Sequence, residues 1–241
     1  LLRMLKNNLT KDNRQMEITM YDTLLQLPLF QGLCKDDFTN IIEKVKFHFH
    51  QLNPGECIVK QGETCDRLIF LLDGEVISQT TNDKLGYRLS EIHTIPFVVE
   101  PYSLFGMQTS FSADYRAHTN VSLLSIDKSF VLSELNRYEI FRINYLNILS
   151  NRCQISANKL CNNFTGDIKE KFLSFFLLRC IRNQGEKKLY ITMEDLANLI
   201  GETRINVSKL LNDLQKKELI MLKRKEIFIP SLEKLTEELG Y

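Results

Sequence analysis

Between Thr203 and Lys225, seven basic residues (Arg204, Lys209, Lys216, Lys217, Lys223, Arg224 and Lys225) stand against two acidic ones, Asp213 and Glu218. The whole chain has a formal net charge of only +1. A local basic excess on a near-neutral protein suits a surface that meets phosphate groups. Arg204 and Lys209 are the first candidates for base or phosphate contact, with Thr203, Asn206 and Ser208 as polar partners beside them. Ile205 can offer only apolar contact, such as to a thymine methyl. The Lys223-Arg224-Lys225 cluster suits a nucleic-acid backbone, where it adds affinity but little sequence information.

Other chemistry is poorly supplied. Phe47-His48-Phe49-His50 places two histidines on one face of a strand, as in cupin metal sites, with Glu56 and Gly62 following. The spacing to Glu56 is off, no glycine precedes the pair, and His93 and His118 lack a second such motif. Strand histidines without metal are the expectation, and a cupin-like ligand- or metal-binding protein that does not touch DNA is the alternative. The six cysteines include no C-x-x-C pair, which speaks for reduced thiols in a cytoplasm and against an iron–sulfur cluster. No Ser/His/Asp motif, phosphate loop or paired-carboxylate motif is present, so neither catalysis nor a cofactor is expected. No apolar run reaches the length of a membrane span, and no signal-peptide core opens the chain, so no membrane partner is expected.

The basic residues need a scaffold, and the surrounding pattern supplies one. Thr192 to Leu222 reads as two short helices joined by a tight turn. Ala197 allows close approach, Gly201 makes the turn, and Val207 packs the second helix on the first. Thr192 with Asp195 resembles a capping box, and Thr203 can cap the second helix. Leu196, Ile200, Leu210, Leu211 and Leu214 form the buried face at helical spacing. Two strand-like runs, Ile220–Leu222 and Glu226–Ile229, then flank the basic tip, which makes a wing. Helix pair and wing together read as a winged helix.

Upstream, residues 1–20 are polar and weakly patterned and are set aside as an N-terminal extension. Residues 21–46 read as helical, with Phe38, Ile41, Ile42 and Val45 on one face. From Phe47 short apolar or alternating runs are punctuated by Asn53-Pro54-Gly55, Gln61-Gly62, Asp73-Gly74 and Asn82-Asp83, the mark of an all-β sandwich or of a barrel such as a jelly-roll β-barrel. A long segment from about Glu134 to Leu160 lacks Pro and Gly, and Leu146, Leu149, Cys153 and Leu160 mark the seam of a two-helix coil. Pairing with a second copy is the preferred reading, and lying along the β domain is the alternative. Thr165-Gly166-Asp167 then breaks the chain, with Asp167 placed to cap the next helix. A joint there would let the last domain rotate. The expected division is 1–20 extension, 21–133 effector domain, 134–163 dimerisation helix and 164–241 winged helix, an α+β fold.

This order, with its motifs, resembles the Crp/Fnr family of transcription regulators. The resemblance runs through LPLFQGL from Leu27, NPGECIVKQGE from Asn53, RLIFLLDGEV from Arg67, LFGM with YRAHT, and GETRINVSKLLNDLQKKELI. It implies a homodimer that binds a palindromic double-stranded DNA operator, RNA polymerase as a partner by analogy, and a small-molecule effector of unknown identity. The implied effector pocket comprises Phe105, Gly106, Met107, Arg116 and Ala117. Nucleotide binders in the family have Gly-Glu, whose carboxylate takes the ribose hydroxyl, then Arg-Ser or Arg-Thr for the cyclic phosphate. Here Met107 follows Gly106 and Ala117 follows Arg116, so cyclic AMP is not the expected effector. The family's reading helix commonly has Glu after its arginine; Ile205 stands there, so the operator sequence is not inherited.

Overall fold

The computed structural model describes residues 24–161 and 166–240, without the side chains of residues 158–161. The N-terminal extension, the first residues of the expected opening helix, and the Leu160 end of the coil seam lie outside what is described. Within those bounds the opening segment is a helix, α1 (Lys35–Lys44), preceded by turns. Pro28 and Gly32 keep the segment before it from joining one long helix.

The expected β domain is two facing antiparallel sheets. Its strands are β1 (Phe47–Leu52), β2 (Cys57–Val59), β3 (Arg67–Asp73), β4 (Glu75–Asn82), β5 (Tyr87–Thr94), β6 (Phe97–Val99), β7 (Asp114–Ala117) and β8 (Val121–Asp127). One sheet runs β1-β8-β3-β6, and the other contains β5-β4-β7-β2. Gly74 shows why the Asp-Gly corner is obligatory. Its φ is +86°, and a Cβ there would meet the Asn120 carbonyl oxygen at 2.2 Å. The run 117–126 does not form one strand: a turn divides it, and the strand before that turn begins at Asp114. The core holds Phe30, Phe38, Phe70, Leu68, Leu124, Ile126, Tyr115 and Phe141, with Phe30 ringed by Phe38, Phe70 and Phe141.

A short helix α2 (Lys128–Ser133) and a 3-10 turn (Leu135–Arg137) follow, so the long helix α3 (Glu139–Cys161) begins five residues later than the pattern suggests. Tyr138 is extended at ψ 119° and breaks the run without Pro or Gly. The last region is α4 (Ile168–Arg179), β9 (Lys187–Tyr190), α5 (Met193–Ile200), α6 (Arg204–Lys216), β10 (Met221–Lys223), β11 (Glu226–Ile229) and α7 (Leu232–Glu238). Asp167 caps α4 with a full capping box to Glu170.

One connection was not anticipated. β9 pairs with β11 on one side and with β5 of the β domain on the other, the latter in the register Arg88↔Tyr190, Leu89↔Leu189, Ser90↔Lys188, Glu91↔Lys187. A continuous sheet, β10-β11-β9-β5-β4-β7-β2, therefore crosses from the wing into the β domain. Tyr87 and Leu89 belong to the same apolar cluster as Phe172, Phe175, Leu189, Leu196 and Ile227.

Candidate nucleic-acid surface and effector domain

Two helix caps set the geometry of the reading helix. The Thr192 hydroxyl accepts from the Asp195 amide at 3.1 Å, and the Thr203 hydroxyl accepts from the Asn206 amide at 3.2 Å. Between them Gly201 turns the chain with φ 66°, a left-handed conformation that costs glycine little. Ala197, Val207, Leu196, Ile200, Leu210, Leu211 and Leu214 are all buried, as the helical spacing requires. Lys171 on α4 reaches across to Glu202 at 2.6 Å and fixes the turn from behind. That hydrogen bond holds the Glu202 carboxyl below its usual range.

This packing leaves one face of α6 to solvent. Arg204, Asn206 and Lys209 are exposed, and Ile205 is 68% exposed, a large apolar side chain with no intramolecular use. Thr203 is occupied as the cap. Ser208 is half-buried and accepts weakly from the Asn212 amide at 3.5 Å. The Asn206 amide leans towards Glu202 at 3.4 Å. Beside α6, the turn between β10 and β11 carries Arg224 and Lys225, with Lys225 at φ 59°. The Lys225 carbonyl accepts from the Ile191 amide at 3.0 Å, which ties the wing to the start of the helix pair. Arg204 and Lys225 line one cleft with Thr192, Met193 and Ile227, so helix and wing share a basic surface. Lys223 is exposed and lies 3.5 Å from Glu226.

The five residues of the implied effector pocket differ in burial. Gly106, Met107 and Arg116 face solvent, whereas Ala117 is buried and Phe105 half-buried. The reason is strand alternation: Tyr115 and Ala117 point into the core from β7, which forces Arg116 outward. A carboxylate that is buried in this domain is Glu100, 2% exposed, at the end of β6. It accepts from the Ser103 hydroxyl (2.9 Å), the Ser112 amide (2.8 Å), the Ser112 hydroxyl (2.8 Å) and the Tyr115 hydroxyl (3.1 Å). Its backbone is left-handed at φ 36°, unusual for a residue with a side chain. Burial, with the Glu100 charge adding to it, pushes the Tyr115 hydroxyl well above its ordinary range. The sequence signal for this hub was a carboxylate closing an apolar strand and followed by proline, Val98-Val99-Glu100-Pro101.

Two family models match the chain in the same order as the two regions. A cyclic nucleotide-binding domain covers residues 49–138, and a Crp-like helix-turn-helix domain covers residues 173–238. The chain belongs to the Crp/Fnr family of transcription regulators. Among solved structures, the catabolite activator protein of Thermus thermophilus is 20% identical, with 88% of this chain and 100% of that one covered, at a TM-score of 0.47. The c-di-GMP responsive global regulator CLP of Xanthomonas campestris is 15% identical over 82% of this chain and 99% of its own, with a TM-score of 0.49. A Crp/Fnr family regulator of Eubacterium rectale is 18% identical over 89% and 98%, also at 0.49. No curated protein matches by sequence. The assignment rests on the two family models.

In this Crp/Fnr chain α3 divides its faces. Phe141 and Tyr145 are buried on the sensor, and the Tyr145 hydroxyl donates to the Pro101 carbonyl. Asn144, a polar interruption in the seam, donates to the Gln31 carbonyl at 2.8 Å. Leu146 is 59% exposed and Cys153 is exposed, while Leu149 is half-buried against the sensor core. His48 lies 3.5 Å from Asp127, and His50 lies 3.1 Å from the Ser125 hydroxyl. Among the described residues no group of three His, Cys, Asp or Glu side chains is placed to hold a metal, and no helix is long and apolar enough to cross a membrane.

Proposed function

We propose that this Crp/Fnr chain acts in the cytoplasm as a homodimeric transcription regulator. The exposed side of α3, with Ile143, Leu146 and Cys153, would pair with a second copy, so that two α6 helices enter successive major grooves of a roughly palindromic operator. RNA polymerase is a partner by family analogy. The observation that carries this reading is α6 itself: Arg204, Ile205 and Lys209 exposed on a capped, well-packed helix beside a basic wing.

The β domain would sense an effector other than cyclic AMP. Met107 stands where the family's nucleotide binders have their glutamate and Ala117 where they have a hydroxyl residue, while Arg116 is exposed on β7. The Ser112 amide and hydroxyl donate to the chain's own Glu100 carboxylate, and that buried acceptor would repel a cyclic phosphate brought beside it. An effector would act by shifting the population between DNA-competent and incompetent arrangements.

Fluorescence anisotropy on fragments selected by the wild-type protein tests the reading. Arg204→Ala and Lys209→Ala are each expected to weaken binding by about 1–3 kcal/mol, roughly 5- to 150-fold. Variants that bind every fragment as well as wild type would remove the assignment, and tight cyclic AMP binding by calorimetry would overturn the effector inference.

A further inference from the structure

We propose that the sensor's β4–β5 hairpin is part of the DNA-facing surface, and that Arg88 forms one phosphate site with Arg224 and Lys225 of the wing. The inference deepens the DNA-binding reading and rests on it. It starts from register. Arg88 pairs with Tyr190, Tyr190 with Glu226, and Glu226 with Lys223, so these residues form a row across β5, β9, β11 and β10. Paired residues of an antiparallel ladder share a face. The adjoining row, Leu89, Leu189, Ile227 and Leu222, is mostly buried in the winged-helix core, so the Arg88 row is the outer one.

The row also fixes the ends. Residues 83–86 join β4 to β5 immediately before Tyr87, and Arg224-Lys225 joins β10 to β11 immediately before Glu226. Both turns therefore leave the continuous sheet at the same edge, with β9 alone between β5 and β11. At a strand spacing of about 4.8 Å, Arg88 and the wing stand roughly 10 Å apart, within reach of two long cationic side chains converging on one group. They do share a cleft of about 370 Å³, lined by Gly86, Arg88, Tyr190, Ile191, Thr192, Arg224, Lys225 and Glu226.

The electrostatics favour an anion. Arg88, Arg224 and Lys225 are all exposed. Glu226, the carboxylate in the cleft, lies 3.5 Å from Lys223. Asp195, close to Gly86, accepts from the Thr192 hydroxyl, and Asp83 sits in the hairpin turn with Lys84 beside it. The Arg88 guanidinium lies 4.3 Å over the Tyr190 ring. Stacking holds it in place through its face and leaves its N–H edge for a phosphate oxygen. A phosphodiester of the strand that passes the wing fits this chemistry and adds no sequence information.

The test is the salt dependence of DNA affinity for full-length protein on a fragment selected by the wild type and on a scrambled fragment. Each phosphate contact contributes about 0.9 to the slope of log K against log salt. Arg88→Gln is expected to lower that slope by about 0.9 per subunit and to weaken both fragments by the same factor, whereas Arg88→Lys restores the slope. Arg224→Gln, a change in the wing, serves as the reference. A lower slope for Arg224→Gln with a wild-type slope for Arg88→Gln overturns the inference and leaves DNA binding by the winged helix intact. Wild-type protein that binds neither fragment removes both.

Discussion

The junction between sensor and winged helix centres on an ion pair whose removal has a calculable consequence. Lys187 on β9 and Glu91 on β5 meet at 2.9 Å with side chains 0% and 2% exposed. The ammonium also donates to the Gln184 carbonyl at 2.8 Å. The carboxylate also accepts from the Ile181 amide at 2.8 Å and the Arg182 amide at 3.3 Å. Breaking a buried pair by removing one partner costs about 3–5 kcal/mol, because the other charge is left uncompensated. Lys187→Met should lie near the lower end, about 3 kcal/mol, since two backbone donors still hold Glu91. Glu91→Gln leaves the Lys187 ammonium uncompensated and turns one acceptor oxygen into a donor, so it too should cost about 3 kcal/mol. The double variant leaves no buried charge and loses only hydrogen bonds, about 2 kcal/mol. The singles therefore add to more than the double by about 4 kcal/mol. Because the partners sit on different domains, the loss should appear as local opening. Amide exchange along β5 and β9 should speed by about 100-fold in Lys187→Met, while β3 and β8 keep their protection. If exchange at β5 and β9 changes less than about fivefold, or if the two single effects simply add, the pair does not hold the joint and the reasoning fails.

Two further perturbations have clear signs. His93 is fully buried, and burial, with Arg182 and Lys187 adding to it, lowers its pKa from 6.5 to about 3. The unfolded chain binds that proton first as pH falls, so stability is fully present above about pH 6.5 and is lost towards pH 3 at about 1.4 kcal/mol per unit. Between pH 7 and pH 5, urea denaturation of His93→Gln should show about 2 kcal/mol less loss than wild type, and an equal loss refutes the assignment. Glu218 follows α6 in a left-handed conformation at φ 58°, where glycine is favoured. Glu218→Gly should stabilise the protein by about 0.5–1 kcal/mol in thermal denaturation, and a lower midpoint would contradict that account.

What the sequence disclosed was local, and what it concealed was paired at a distance. The helix pair was legible because caps, turn glycine and apolar spacing all lie within Thr192–Leu214 and obey one period. The wing was legible for the same reason. β9 was not. Lys187-Lys188-Leu189-Tyr190 is a four-residue run half made of lysines, and its reason to be a strand lies about a hundred residues away in β5. Arg116 shows a residue type read without its period. Alternation from buried Tyr115 and Ala117 already turns it outward. Glu100 closes an apolar run, and only donors from Ser103, Ser112 and Tyr115, brought together by the roll, make it interior.

The same contrast bears on how a signal crosses the molecule. The Gly166 break marks a joint in the chain, and chain connectivity alone would let the winged helix turn freely about it. The fold adds a second connection. Tyr87 and Leu89 of the sensor complete the winged-helix core, with the Tyr87 ring edge-on to Phe175 at 5.7 Å. Any rotation must first part β5 from β9, expose those two side chains and separate the Glu91–Lys187 pair. Such a step is cooperative, because a sheet ladder and a buried ion pair have no favourable halfway state. Under the proposed function, an effector in the roll that moved β5 would therefore act on the winged helix directly, through the strand that the two domains share.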